Sequence, residues 1–352
     1  MNDQWREYSD EQRRQLVDVV QLFEVFRQAS RRFQQSYRGT MRWRSSKGKQ
    51  YLYRTISRHG IARSNSLGPR TPQTESILRE FQSGKESLTL RLDKTEARLT
   101  EMARVNRALR LHRVPVIETK ILRALDREGL LGAPLFVVGT NALYAYESRA
   151  GVFLNSSLVA TRDMDLLWDD RRKISLVLAE EAAQRGVLGV LRSVDPSFAL
   201  TGPRSFRAAN DDGYLVDLIR PVGNGPFARK PVSKPNRTDR IGPIEDDLYG
   251  VGIEGLNWLI HSPKIDEVVI GSDGFPVFVS CIDPRVFALH KWWLSCKADR
   301  NPRQRPRDAS QSLAVANLCL HYLGLSLESH DLSALPESLR AQAKALTAQV
   351  TR

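Results

Sequence analysis

Three stretches of sequence decide the fold: Leu135-Phe-Val-Val-Gly139-Thr140-Asn141-Ala142, then Thr161-Arg-Asp163-Met-Asp165-Leu-Leu-Trp168, and then Tyr214-Leu-Val-Asp217-Leu-Ile-Arg220. The first predicts an apolar strand that runs into a turn and a helix, and the other two predict strands. Because residues i and i+2 of a strand share one face, Asp163 and Asp165 should point the same way. A third carboxylate beside them would complete a divalent-metal site of the kind that holds a nucleoside triphosphate.

These motifs resemble the signature of the nucleotidyltransferase superfamily, the polymerase-β-like fold. The wider wording VGTNALYAYE…ATRDMDLLWD is similar to a bacterial group of nucleotidyltransferase-like proteins of unknown role. The resemblance implies an α+β fold with a nucleotidyltransferase core, a mixed sheet with helices, flanked by a helical N-terminal region and a helical C-terminal region. We expect a basic helical region with a β-hairpin near 41–54 over residues 1–113, the core over 114–283, and C-terminal helices over 284–352.

The resemblance also assigns roles to the acidic residues. Asp163 and Asp165 are expected to hold the nucleotide-bound metal, and Asp165 and Asp217 the catalytic metal. Two Mg²⁺ (or Mn²⁺) ions are the expected cofactors, because such ions bind hard carboxylate oxygens together with water and phosphate. An Asp-x-Asp pair alone is a weak signal, whereas its combination with the preceding Gly-hydroxyl turn and a later strand acid is much stronger.

Nucleotide binding is expected at two further places. Gly139 and Thr140 should lie at a helix start, where free backbone N–H groups and the helix dipole favour a phosphate. Thr140 departs from the usual second Gly or Ser, since it keeps the hydroxyl but adds a methyl group. Lys291, on the helix after the last strand, resembles the basic residue that contacts the β/γ-phosphates. The alternative for Lys291 is a solvated residue beside Trp292 and Trp293.

Positive charge is concentrated in the N-terminal third. Residues 1–115 contain 24 Lys and Arg against 12 Asp and Glu, a difference of +12, whereas the remainder contains 29 against 28. This segregation indicates an anionic partner, with RNA as the first candidate. The alternative is a basic, solvated helical surface without a specific ligand.

The remaining composition excludes several classes of protein. No apolar run approaches the roughly 18–20 residues that a membrane helix needs, and the N-terminus lacks a hydrophobic signal core, so we expect a cytoplasmic protein without a membrane partner. The 3 Cys and 6 His are scattered without zinc-binding spacing. The sequence leaves the oligomeric state open.

Within the N-terminal region, the apolar spacing predicts a helix over 10–37, a two-stranded hairpin over 41–54, a loop over 58–73 and a long helix from about Glu75 to Leu111, interrupted near Gly84. Trp43, Tyr51 and Tyr53 are interleaved with basic residues in the hairpin. Such residues can stack bases and bind phosphates, although aromatic residues in a hairpin also commonly pack against a helix.

The leading hypothesis is therefore a metal-dependent nucleotidyltransferase that moves a nucleoside monophosphate to a hydroxyl of RNA, such as tRNA, or of a protein. By analogy of fold alone, it could be the toxin of a toxin–antitoxin system. The alternative is a catalytically inactive protein that retains the fold and binds nucleic acid. A glycosyltransferase with a sugar-nucleotide metal is disfavoured, because the glycine turn precedes the acidic pair and a third strand acid is present.

Overall fold

The computed structural model describes residues 5–58, 61–132, 134–169, 180–221, 244, 246–253 and 256–350, without the side chains of residues 58, 61 and 180–184. The chain divides into a smaller unit, Arg14–Leu109, and a larger unit made of Met1–Arg13 and Arg110–Arg352. Each unit contains its own β-sheet.

The elements follow one another along the chain with short connections. The strands are β1 (Trp5–Glu7), β2 (Thr40–Ser46), β3 (Lys49–Arg58), β4 (Ile61–Pro69), β5 (Leu135–Val138), β6 (Val152–Leu154), β7 (Asp163–Trp168), β8 (Ala199–Leu200), β9 (Arg207–Ala209), β10 (Leu215–Pro221), β11 (Val251–Ile253), β12 (Lys264–Ile270) and β13 (Pro276–Ile282). The helices are α1 (Asp10–Arg32), α2 (Pro72–Ala108), α3 (Val116–Arg127), α4 (Leu143–Ala150), α5 (Ser156–Val159), α6 (Glu180–Val194), α7 (Asn257–His261), α8 (Pro284–Cys296), α9 (Arg305–Asn317), α10 (Glu337–Arg340) and α11 (Gln342–Val350).

The smaller unit contains a three-stranded antiparallel sheet in the order β2-β3-β4. The predicted hairpin is confirmed as β2 and β3, which pair from Thr40 with Thr55 to Ser46 with Lys49. The prediction of a loop over 58–73 is wrong for residues 61–69, which form β4. The Gly, Ser and Pro content of this segment disfavours a strand in isolation, but pairing with β3 along its length overrides that preference.

Helix α2 runs without a break, so the predicted interruption near Gly84 is wrong. It begins at a capping box, in which the Thr71 side chain accepts a hydrogen bond from Thr74 N and the Thr74 hydroxyl accepts one from Thr71 N. Gly84 is required there for packing, because a Cβ atom at this position would collide with the ring of Tyr37. The glycine therefore marks a close helix contact and not a helix end.

The larger unit is organised around a mixed sheet with the order β12-β13-β5-β7-β10-β9-β8, and β11 also pairs with β10. Strands β5 and β7 are antiparallel, whereas β7 and β10 are parallel. Every residue of β5 and β13 is buried, as expected for strands covered on both faces. The core around them includes the fully buried side chains of Trp168, Tyr146 and Phe287.

The C-terminal part of the larger unit is helical from α8 onward, with buried Leu289, Val315 and Leu346. The predicted α+β class with a mixed sheet is confirmed. None of the helices in the described ranges is both long enough and apolar enough to cross a membrane.

Candidate active site

The sheet of the larger unit brings the three predicted carboxylates together. Strands β7 and β10 are parallel neighbours, and Asp165 lies directly opposite Asp217 in their register. Adjacent strands lie about 4.8 Å apart, and paired residues project to the same face. Asp163, two residues before Asp165, shares that face. Asp163 and Asp165 are half-buried and Asp217 is buried, so three acids lie close together at a partly covered position.

Gly139 lies immediately against this acidic group. It follows Val138, which is the register partner of Asp165 on β7. Its φ of +67° lies in the left-handed region, which glycine adopts without steric cost. A Cβ atom at this position would lie 2.5 Å from Oδ2 of Asp165. The backbone therefore turns at Gly139 in contact with the carboxylate, and no larger residue fits that turn unchanged.

The predicted helix start after Gly139 begins with a single 3₁₀ turn, Gly139–Ala142, and α4 starts at Leu143. The Thr140 hydroxyl accepts a hydrogen bond from Nε2 of Gln311 at 3.2 Å. Asn141 is buried, and its Nδ2 donates to the backbone carbonyl of Asp163 at 3.1 Å. Asn141 therefore links the turn to the strand that carries the acidic pair, a role that sequence reasoning missed.

The crowding of acids changes the protonation of Asp165. Burial raises its pKa to about 7, Asp163 and Asp217 raise it further, and Lys291 and Arg207 oppose the rise. Without another cation nearby, this carboxyl is therefore about half protonated at neutral pH. A bound divalent cation would favour the ionised form, because a metal ion is the largest local charge in such a site.

Arg207 is a member of this site that sequence reasoning also missed. It lies on β9 directly opposite Asp217, and its guanidinium donates two hydrogen bonds to that carboxylate, Nε to Oδ1 at 2.7 Å and Nη2 to Oδ2 at 2.6 Å. A signal was present in the sequence, since the Asp212-Gly213 turn is centred midway between positions 207 and 217. Counting outward from that turn places Arg207 opposite Asp217.

Lys291 is not a solvated residue. Its ammonium lies 2.7 Å from Oδ1 of the buried Asp308, whose Oδ2 accepts from Nε of Arg300 at 2.8 Å. Burial would raise the pKa of Asp308, but the two cations outweigh it and hold that pKa below its ordinary value. Lys291 is near enough to Asp165 to lower the pKa of that carboxyl. The structure thus places Lys291 beside the acidic group while an ion pair holds its ammonium.

A fourth carboxyl lies behind the site. Glu118 on α3 is buried, and burial raises its pKa to about 8, with a further rise from Asp163 and an opposing hydrogen bond from Tyr214. Glu118 is therefore mainly neutral at pH 7. Sequence reasoning missed it because α3 was interpreted only as an amphipathic helix, although its buried face also contains Ile121 and Leu125.

The donor set fits a divalent cation at Asp163 and Asp165. Both are half-buried carboxylates, and the raised pKa of Asp165 shows that they lack sufficient compensating charge. Among the residues that the structure describes, no set of three His, Cys, Asp or Glu side chains is grouped as a metal site. Arg207 engages both oxygens of Asp217. Mg²⁺ commonly takes one or two carboxylates plus water and phosphate oxygens, so the acidic pair suffices for one ion.

Comparison with known proteins gives one match. A family model described as nucleotidyltransferase matches residues 117–336, which is more than half of the chain. The matched region contains Gly139, the three acids and Lys291. No curated protein and no solved structure matches the chain.

Proposed function

Because the chain belongs to the nucleotidyltransferase family, we propose that it transfers a nucleoside monophosphate from a nucleoside triphosphate to a hydroxyl group of an acceptor. The acceptor oxygen forms a bond to the α-phosphorus, the bond from that phosphorus to the bridging oxygen breaks, and pyrophosphate and one proton leave. The observation that carries the proposal is the register of β7 and β10, which sets Asp163, Asp165 and Asp217 on one face beside Gly139.

In this proposal the acids hold the metal and align the substrate. Asp163 and Asp165 would hold a nucleotide-bound Mg²⁺ or Mn²⁺, and Asp217 would join Asp165 in holding a second ion after Arg207 releases it. When bound, such ions neutralise the triphosphate and acidify the attacking hydroxyl. Phosphoryl transfer requires little more from a protein than positioning and charge compensation.

The basic residues of the site face the nucleotide in the same proposal. Arg207 would exchange its carboxylate partner for a phosphate oxygen, which a planar guanidinium can also bind with two donors. Gly139 and Thr140 would allow the backbone to approach the phosphates. Lys291 would contribute positive charge near the triphosphate from its position beside Asp308.

The acceptor in this proposal is RNA, such as tRNA, bound through the basic N-terminal region. Its support is the difference of +12 between basic and acidic residues in positions 1–115. A protein hydroxyl is the other acceptor class. We also propose that the enzyme acts in the cytoplasm, and a toxin that modifies tRNA is one role with this chemistry.

The test is transfer of label from each α-³²P nucleoside triphosphate, with Mg²⁺ or Mn²⁺, to total cellular RNA or protein. The Asp163→Asn/Asp165→Asn double variant should lose transfer. A matched control is Asp211→Asn/Asp212→Asn, which removes the same charge from two exposed turn residues and should retain transfer. Equal labelling by the wild type and the acidic-pair variant would refute the proposal.

One observation favours a second candidate, a nucleic-acid-binding protein without transferase activity. Both oxygens of Asp217 accept hydrogen bonds from Arg207, so the third acid is engaged inside the protein. Binding of nucleoside triphosphate without turnover, in the presence of Mg²⁺ or Mn²⁺ and RNA, would favour this candidate over the enzyme.

A further inference from the structure

The three-stranded sheet of the smaller unit has one face that packs inside the unit. Leu52 on this face is fully buried, and the guanidinium of Arg54 lies 5.4 Å from the ring centroid of Phe81 on α2. Arg54 also donates to the backbone carbonyls of Ser36 and Arg38. Because side chains alternate along a strand, the neighbours of Leu52 and Arg54 project from the opposite face.

That opposite face combines arginine, tyrosine and hydroxyl side chains. Arg42 is paired in register with Tyr53, Arg44 with Tyr51, and Thr55 with Ser64. Both arginines are exposed and both tyrosines are half-buried. We call these six residues the Arg–Tyr face.

Arg44 is held in place across this face. Its Nη2 donates to Oγ1 of Thr55 and to Oγ of Ser64, each at 3.2 Å, and its guanidinium carbon lies 5.1 Å from the ring centroid of Tyr53. Arginine carries five N–H donors, so two such bonds leave donors for a ligand. A fixed cation beside an aromatic ring combines a phosphate-binding group with a stacking surface.

The charge of the surrounding sequence is of one sign. Positions 25–74 contain 12 Lys and Arg and no Asp or Glu. An uninterrupted cationic segment of this kind fits a polyanion and not an acidic and basic mixture of protein side chains.

We propose that the Arg–Tyr face binds single-stranded RNA, with phosphates on Arg42 and Arg44 and unpaired bases stacked on Tyr51 and Tyr53. In a duplex the base faces are covered, so tyrosine stacking selects single strands. Hydroxyl side chains on the same face suit the 2′-hydroxyl of ribose. This inference deepens the proposed function by supplying the docking surface for its acceptor, and it rests on that function only for the purpose of binding.

The experiment is equilibrium binding of full-length protein to fluorescein-labelled single-stranded RNA, duplex RNA and single-stranded DNA, without nucleoside triphosphate. Arg42→Gln/Arg44→Gln should weaken binding of single-stranded RNA at least about tenfold. It should also lower the slope of log K against log salt by about 1.4, at about 0.7 for each phosphate released. The matched control Arg91→Gln/Lys94→Gln removes the same charge from exposed positions of α2 and should change binding less than about twofold.

The tyrosines provide a test that charge cannot explain. Tyr51→Leu/Tyr53→Leu, checked for folding by circular dichroism, should weaken single-stranded RNA at least about fivefold and leave the salt slope unchanged. Equal losses in both charge variants, or equal affinity for duplex RNA or single-stranded DNA, would overturn the inference.

Binding and transfer fail separately in this design. The Asp163→Asn/Asp165→Asn variant should bind single-stranded RNA like the wild type, because its substitutions lie in the other unit. Absence of label transfer would therefore count against the proposed function alone, and loss of the discrimination described above would count against the Arg–Tyr face alone.

Discussion

Replacement of Asp165 by Asn tests the electrostatic crowding on which the metal assignment rests. Burial, Asp163 and Asp217 raise the pKa of Asp165 from its ordinary 3.8 to about 7. Over that interval the folded protein retains a proton that the unfolded chain has lost. The free energy of unfolding must therefore fall as the pH rises from about 4 to about 7.

The size of this effect follows from the two pKa values. The whole interval corresponds to about 4 kcal/mol at 1.36 kcal/mol per pH unit. Between pH 5 and pH 8, where the unfolded carboxyl is already ionised, the wild type should lose about 2–3 kcal/mol of stability through this carboxyl. Asp165→Asn cannot ionise, so its stability relative to the wild type should rise by that amount between the two pH values.

The assay is urea unfolding in EDTA at pH 5 and pH 8, with the transition of the larger unit followed by tryptophan fluorescence. Asp211→Asn, an exposed acid in a turn, is the control and should behave alike at both pH values. At pH 8, Mg²⁺ should stabilise the wild type more than Asp165→Asn. A difference between variant and wild type that does not change with pH would refute the crowding, and with it the basis for a cation at this position.

Three further predictions test individual contacts. Gly139→Ala should lower the free energy of unfolding by more than Gly129→Ala; both positions have φ near +68° and share a cost of about 1–2 kcal/mol, but only the first Cβ meets the Asp165 carboxylate, so equal losses in urea unfolding would contradict this. Arg207→Gln should destabilise the protein by about 1–3 kcal/mol, because it leaves a buried carboxylate unpaired, and Mg²⁺ should restore more stability to it than it adds to the wild type in thermal melts. Glu118→Gln should remove the loss of stability that the wild type shows as pH rises from about 4.5 to about 8, and urea midpoints at pH 6 and pH 9 that fall equally in both proteins would count against it.

The alternation of strand residues was sufficient to predict the acidic pair. Asp163 and Asp165 lie on one apolar strand, so period two alone puts them on one face. The apolar β5 and the Gly139 turn were equally local signals. The partnership of Asp165 with Asp217 is different, because parallel neighbours are separated by a long stretch of chain and their register depends on tertiary packing. It was predicted through the resemblance and not from local pattern.

The residues that sequence reasoning missed depend on contacts between elements. Asn141 acts through a backbone carbonyl of another strand, and Glu118 lies near Asp163 only because α3 packs there. The strand β4 was missed because its Ser and Gly residues suit a loop until β3 supplies a pairing partner. Arg207 is an exception, since the Asp-Gly turn already fixed its register.

The ion pair between Arg207 and Asp217 determines how the site can change during evolution. As long as the arginine is present, the third acid is neutralised within the protein, and the sheet can fold before any ion arrives. Loss of Asp217 alone would leave a free guanidinium beside the remaining two carboxylates and change an acidic site into one of mixed charge. Loss of Arg207 alone would leave three acids whose repulsion only an ion could offset, and folding would then depend on metal supply. Selection is therefore expected to act on the two residues together, so that relatives retain both or replace both.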